Sequence, residues 1–207
     1  MHDAVGHALR AAELDPLSPM ARDSYISALT YAGRTDAALQ ELRKAENLWP
    51  GASNLLDARF RLHLRYGDPR EAMRMLRSGG ADWGAVGLHE LFLRARIART
   101  PDNIERALAA AKRYPAGDSF AQLLGEFGRV DQFYETAAIA LLKGDRQSDN
   151  VLFRPGLKSI RRDPRFLSMM ARSGLLDYWR TSGKWPDLCF EPDLPYDCKV
   201  EAAKLPT

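Results

Sequence analysis

Four histidines, two cysteines and one glycine-rich stretch are the residues of this chain whose types could carry catalysis or metal binding. His2, His7, His63 and His89 fall in no HExxH or other metal-ligand spacing, and each reads as a surface or capping residue. Cys189 and Cys198 form no CxxC and have no histidine near them in the tail, so neither a zinc site nor a cysteine nucleophile is expected. They read either as two free thiols or as a local disulfide that pins the tail, the second implying an oxidising compartment. The stretch "GGADWG" lacks the Lys-Ser/Thr pair that would follow in a phosphate-binding loop, and no strained nucleophile turn marks any serine. The expectation is a protein that is not an enzyme, with no cofactor and no metal.

Composition narrows the partners. The 207 residues are 45% hydrophobic and 28% charged, with a net charge of only +3 and both signs interspersed. A balance of that kind gives no dominant attraction to nucleic acid or to an anionic membrane. The longest apolar run, "TAAIALL" at Thr136–Leu142, is far short of a membrane span, and the N-terminus lacks the pattern of a signal peptide. A cytoplasmic location is expected, with a periplasmic one as the alternative if the cysteines pair and a longer parent protein carries an anchor.

What must position any binding residues is a helical repeat. "GRTDAALQELRKAENLWP" begins at Gly33 and a near-echo, "GDPREAMRMLRSG", begins at Gly67, 34 residues later. At that interval Ala4, Ala38 and Ala72 align, as do Ala11, Ala45 and Gly79, Leu42 and Leu76, and Leu14 and Leu48. The small residues suit close helix crossings. Gly33 and Gly67 suit left-handed caps ending a first helix, and Pro16 and Pro50 suit stops for a second. Two helical patterns per fixed period are the signature of an α-solenoid. On these positions residues 1–79 resemble the tetratricopeptide repeat (TPR) family, departing from it where Arg22 and Leu56 stand at the large first-helix position.

Beyond "SGGADWG" the register drifts, and two degenerate helix-turn-helix units follow, with Gly128 closing the first helix of the later one. The expected fold is all-α: a right-handed solenoid of TPR-like hairpins over residues 1–147, then a helical cap and an irregular, extended tail over 148–207. In the cap, Asp163–Pro164 opens a helix to about Arg172, Gly174 separates it from the next, and Gly183 ends that one. The "DPRF" with its following "GLLDYW" resembles the C-terminal cap of TPR-bearing bacterial multidomain regulators, whose leading domain is a winged helix or a nucleotide cyclase.

The resemblance implies a non-catalytic protein-interaction module, the sensory or interaction region of a bacterial transcriptional regulator. It places a protein or peptide in a groove lined by Asp23, Ser27, Thr30 and Tyr31 of one unit and Asn54, Asp57, Arg61, Leu64 and Arg65 of the next. The Lys and Asn that clamp a C-terminal carboxylate in chaperone-binding TPR domains are replaced here by Asp23, Ser27, Asp57 and Arg61, so that clamp is not expected. The plain alternative is that these are solvated helix faces. A second reading is nucleic-acid binding through the cap, where eight basic residues between Arg154 and Lys184 face two acidic ones. Against it, the tail carries five acidic residues to two basic and is expected to fold back along the cap, where Tyr178, Trp179 and Trp185 should pack. Finally, Ala4, Val5, Ala8, Leu9 and Ala12 form an apolar stripe at helical spacing. It predicts cover by a preceding helix of a longer parent or by the same helix of a second copy, giving a homodimer.

Overall fold

A computed structural model describes residues 2–79, 86–114, 117–143 and 149–206. The described residues are helical with connecting turns and contain no strand. They divide into two compact units, Met1–Ala110 and Ala111–Thr207. The boundary expected at 147/148 and the change of register expected after Gly79 lie outside the described residues.

The first unit comprises α1 (His2–Leu14), α2 (Pro19–Tyr31), α3 (Thr35–Leu48), α4 (Ser53–Arg65), α5 (Pro69–Ser78), α6 (Val86–Ile97) and most of α7 (Pro101–Ala111). The 34-residue interval is visible in the helix starts: Pro19 to Ser53 for α2 and α4, and Thr35 to Pro69 for α3 and α5. Start signals are local. Ser18 accepts the Ala21 N–H ahead of Pro19, and Asp68 accepts the Arg70 N–H ahead of Pro69. Each fills one of the orphan donors of a first turn while proline supplies a preset φ.

Sequential helices pack on one another from α1 to α6, and α2 also lies beside α4. One apolar cluster joins Val5, Ile26, Leu29, Ala38, Leu42, Ala45, Leu55, Ala58 and Leu62. Ala38 and Ala72 are wholly buried, as repeat positions at close crossings should be. Ala11 and Gly79, aligned with buried Ala45, are exposed. Gly79 instead ends α5 with φ 65°, a left-handed cap. At the departure from the family pattern, Arg22 reaches Glu41 of α3 at 3.1 Å, so an ion pair ties the hairpin where a large apolar residue was absent.

Gly33 has the expected positive φ of 75°, but Gly67 does not belong to the positive-φ set. A different constraint acts there: a Cβ on Gly67 would lie 2.7 Å from His63 Nδ1 and 2.9 Å from Leu62 Cδ2. Closeness, not backbone handedness, is the physical reason for glycine.

The second unit contains α8 (Asp118–Glu126), then α9 (Val130–Gln132), a π-helical turn (Phe133–Ala137) and α10 (Ala138–Lys143), which run on as one rod. Short 3-10 turns at Asp149–Phe153 and Pro155–Leu157 lead into α11 (Lys158–Arg161), α12 (Arg165–Arg172) and α13 (Leu175–Ser182). Phe120, Leu124, Phe133, Leu157, Ile160, Phe166, Met170 and Leu176 are among its buried apolar residues. Gly128, Gly174 and Gly183 all adopt positive φ, as their places at helix ends predict. The tail departs from the irregular, extended course expected of it. It holds a 3-10 turn (Asp187–Phe190) and α14 (Cys198–Ala203), because Asp197 accepts the N–H groups of both Lys199 and Val200.

Candidate functional site

The groove residues expected from the repeat lie on α2 and α4, which run side by side. Three of them form one network: Arg61 donates to Asp23 Oδ1 at 2.7 Å and to Ser27 Oγ at 3.3 Å, while Ser27 donates to Asp23 at 3.3 Å. The 34-residue offset of the two helices brings these side chains into reach. Burial pushes the Asp23 carboxyl above its ordinary pKa, with Asp57 adding to the rise and Arg61 and Ser27 opposing it. Ile26, Ser27, Thr30, Tyr31, Ala58 and Arg61 line a recess there with room for about one water molecule. It is a surface feature able to hold a side chain's edge, too small to enclose a metabolite.

The other expected groove residues play other parts. Asn54 donates to the Pro19 carbonyl at 2.9 Å and so ties the starts of α2 and α4. Thr30 is buried and donates to the Ile26 carbonyl at 2.8 Å, and Leu64 is buried. Tyr31, Asp57 and Arg65 are half-buried. Arg61, Asp23 and Ser27 are half-buried as well, so the groove reaches solvent only in part.

A junction unseen in the sequence sits at the C-terminal end of α4. Arg96 of α6 donates to the carbonyls of His63 and Leu64, both at 2.9 Å, and of Gly67 at 3.3 Å. A guanidinium there fills orphan carbonyls and meets the negative end of the helix dipole. His63 accepts the Asp68 N–H at Nδ1, 3.1 Å away. It serves as a capping residue, although it is buried rather than at the surface. Burial holds its pKa below the ordinary value, against the pull of Glu71. His89, expected like it as a surface or capping residue, is half-buried with its ring edge-on to Phe60.

In the second unit the basic run is largely consumed within the chain. Arg154 is buried and pairs with Asp118 at 2.9 Å. Arg161 is buried and donates to the carbonyls of Leu152 and Arg154. Lys158 and Arg162 meet Asp193 of the tail, Arg165 meets Asp131 and Asp163, and Arg180 donates to the carbonyls of Ala202, Leu205 and Pro206. Arg172 and Lys184 stand exposed. The acidic tail thus folds back on the cap. Trp179 is buried and Trp185 leans on it, whereas Tyr178 stays 53% exposed.

Cys189 and Cys198 are joined in a disulfide with Cα atoms 5.6 Å apart. Among the described residues no group of three or more His, Cys, Asp or Glu is placed to hold a metal ion, and no helix is long and apolar enough to cross a membrane. No protein-family model matches the chain, and neither a curated protein nor a solved structure is similar to it.

Proposed function

We propose that the chain is a non-catalytic, peptide-binding module whose ligand lies along α2 and α4. The observation that carries this reading is the Asp23–Ser27–Arg61 network, a polar, half-exposed cluster built from two different helices at an apolar recess. Such a surface offers donors, acceptors and a shallow apolar contact to an extended or helical segment. On the TPR resemblance, the module would be the interaction region of a bacterial regulator. The bonded cysteines favour the oxidising-compartment alternative over the cytoplasm. The nucleic-acid reading draws no support from the cap, because Arg154, Lys158, Arg161, Arg162, Arg165 and Arg180 already have partners within the chain.

A phage-displayed library of random peptides, selected on the immobilised protein, tests the groove. Enriched peptides should lose binding to folded Arg61→Glu and Asp23→Lys variants. Peptides that bind both variants as well as the original chain would place the ligand elsewhere.

A further inference from the structure

The loop closed by Cys189 and Cys198 carries its own short acidic segment, Glu-Pro-Asp-Leu-Pro-Tyr-Asp, at 191–197. That segment is seated on the turn at α11. Asp193 lies 3.1 Å from Lys158 Nζ and 2.7 Å from Arg162, and Glu191 lies 3.7 Å from Lys158. Tyr196 donates its hydroxyl to the Arg161 carbonyl. The two cations keep 50% and 34% of their side chains exposed, so the pairs are open to solvent. Exposed pairs of this kind hold a loop only weakly by themselves. The tether supplies the rest, since both ends of the segment are fixed and its local concentration on the basic turn is high.

We propose that Lys158, Arg162 and the Arg161 carbonyl form a docking surface for an extended acidic, tyrosine-containing peptide of a partner protein. The 191–197 segment occupies that surface in cis while the disulfide is closed. A dithiol reductant opens it by transferring two electrons and two protons to the S–S bond, leaving two cysteine thiols and a disulfide in the reductant. No atom of the docking surface changes. The loop can then widen and lift, its concentration on the turn falls, and a partner's acidic segment competes. This surface is independent of the α2–α4 groove.

The probe is the synthetic peptide Glu-Pro-Asp-Leu-Pro-Tyr-Asp with blocked ends and a fluorescent label, titrated by anisotropy against the full chain. Binding should be at least ~10-fold tighter after treatment with dithiothreitol than before it. A Cys189→Ser/Cys198→Ser chain should match the reduced protein without reductant. Lys158→Glu/Arg162→Glu should lose the peptide in either state. Should the cysteine variant fail to fold, Asp193→Lys decides: it vacates the surface with the disulfide intact, and the oxidised chain should then bind. Equal affinity of oxidised and reduced protein, or a natively helical reduced chain blind to the peptide, overturns the proposal. So does a reduced chain that prefers a single-stranded oligonucleotide, with affinity falling steeply in salt.

Discussion

The two units bury different things. In the first, the repeat alanines Ala38, Ala45 and Ala72 are wholly buried beside Leu42 and Leu62, and the charges that bridge its helices, such as Arg22–Glu41 and Arg59–Glu46, stay partly in water. In the second, Arg154, Arg161 and Gln122 lie inside, and a disulfide closes a loop within the tail. A repeat solves its packing once and reuses the answer, so volume at a few positions is the controlling quantity. A non-repeating cap has to satisfy each turn separately. Here the Arg161 guanidinium reaches the Leu152 and Arg154 carbonyls at the short 3-10 turns.

The largest effect expected from that contrast is at Arg154. Arg154→Ala leaves Asp118 without its partner at 2.9 Å and should cost about 3 kcal/mol, the low end for breaking a buried pair, because Asp118 keeps 26% of its side chain in water. Replacing both members with apolar residues, Arg154→Met with Asp118→Leu, should cost less, since no lone charge remains. Urea denaturation of both variants checks this. A cost below about 1 kcal/mol for Arg154→Ala would mean that the second unit does not depend on its inner charges.

Next comes the tail. Opening the bridge across nine positions of sequence removes a constraint on the unfolded chain worth about 2–3 kcal/mol. Melting with and without reductant should show the second unit shifting and the first unmoved. A shift confined to the first unit would reverse the assignment.

Volume is the first unit's vulnerability. Ala38→Leu and Ala72→Leu should each destabilise by roughly 1–3 kcal/mol, because close crossings absorb added methylenes poorly. Unchanged melting midpoints would show that the crossings are loose, and the contrast with the cap would lose its basis.

These expectations also mark how far the sequence can be read. The 34-residue recurrence was enough to locate α2 to α5, because small residues, caps and prolines act within a few positions of themselves. Gly33, Gly128, Gly174 and Gly183 were legible for the same reason. Gly67 was not, since its constraint is the ring of His63 packed over it, which no dipeptide signal encodes. Likewise nothing in the run of basic residues marks Arg154 and Arg161 as lying inside, their partners being far away in sequence or being carbonyls. Of the expected groove, Asp23, Ser27 and Arg61 are named by the repeat resemblance, but their bonding to one another is seen only in the fold. The burial of Thr30 and Leu64 was not, because it depends on how α4 is rotated against its neighbours.

A smaller effect, and the one pH-dependent one, belongs to His63. Its folded pKa lies below the ordinary 6.5, mainly through burial, with Arg59 lowering it further and Glu71, Asp68 and Glu46 opposing. The unfolded chain therefore takes the proton first as pH falls. The histidine's contribution is fully present above the unfolded pKa and is lost on acidification toward the folded one. Protonation also places an N–H opposite the Asp68 N–H that Nδ1 now accepts. His89 is shifted in the same direction, by burial and by Arg65, so His63→Gln should remove part of the acid sensitivity. Melting midpoints at pH 8 and pH 5 should converge in the variant. Equal acid sensitivity in both chains would exclude the junction as its source.

The smallest expected effect completes the comparison inside the repeat itself. Ala4 occupies the alignment position of Ala38 and Ala72, yet it is exposed on α1, which packs on α2. Val5 and Ala12 of the same stripe are covered, while Leu9 keeps 37% of its surface and Leu14 69%. If burial rather than helix propensity sets the cost at this position, Ala4→Leu should change stability by less than about 0.5 kcal/mol, as surface substitutions do. The same replacement two repeats along costs several times more, with identical chemistry and a neighbouring helix as the only difference. Sedimentation alongside the melts sharpens the test. Should α1 pair with a second copy through this face, Ala4→Leu would weaken a dimer, and its effect would grow with protein concentration. A concentration-independent loss as large as that of Ala38→Leu would mean that Ala4 is crowded within its own chain, and the three aligned alanines would be equivalent.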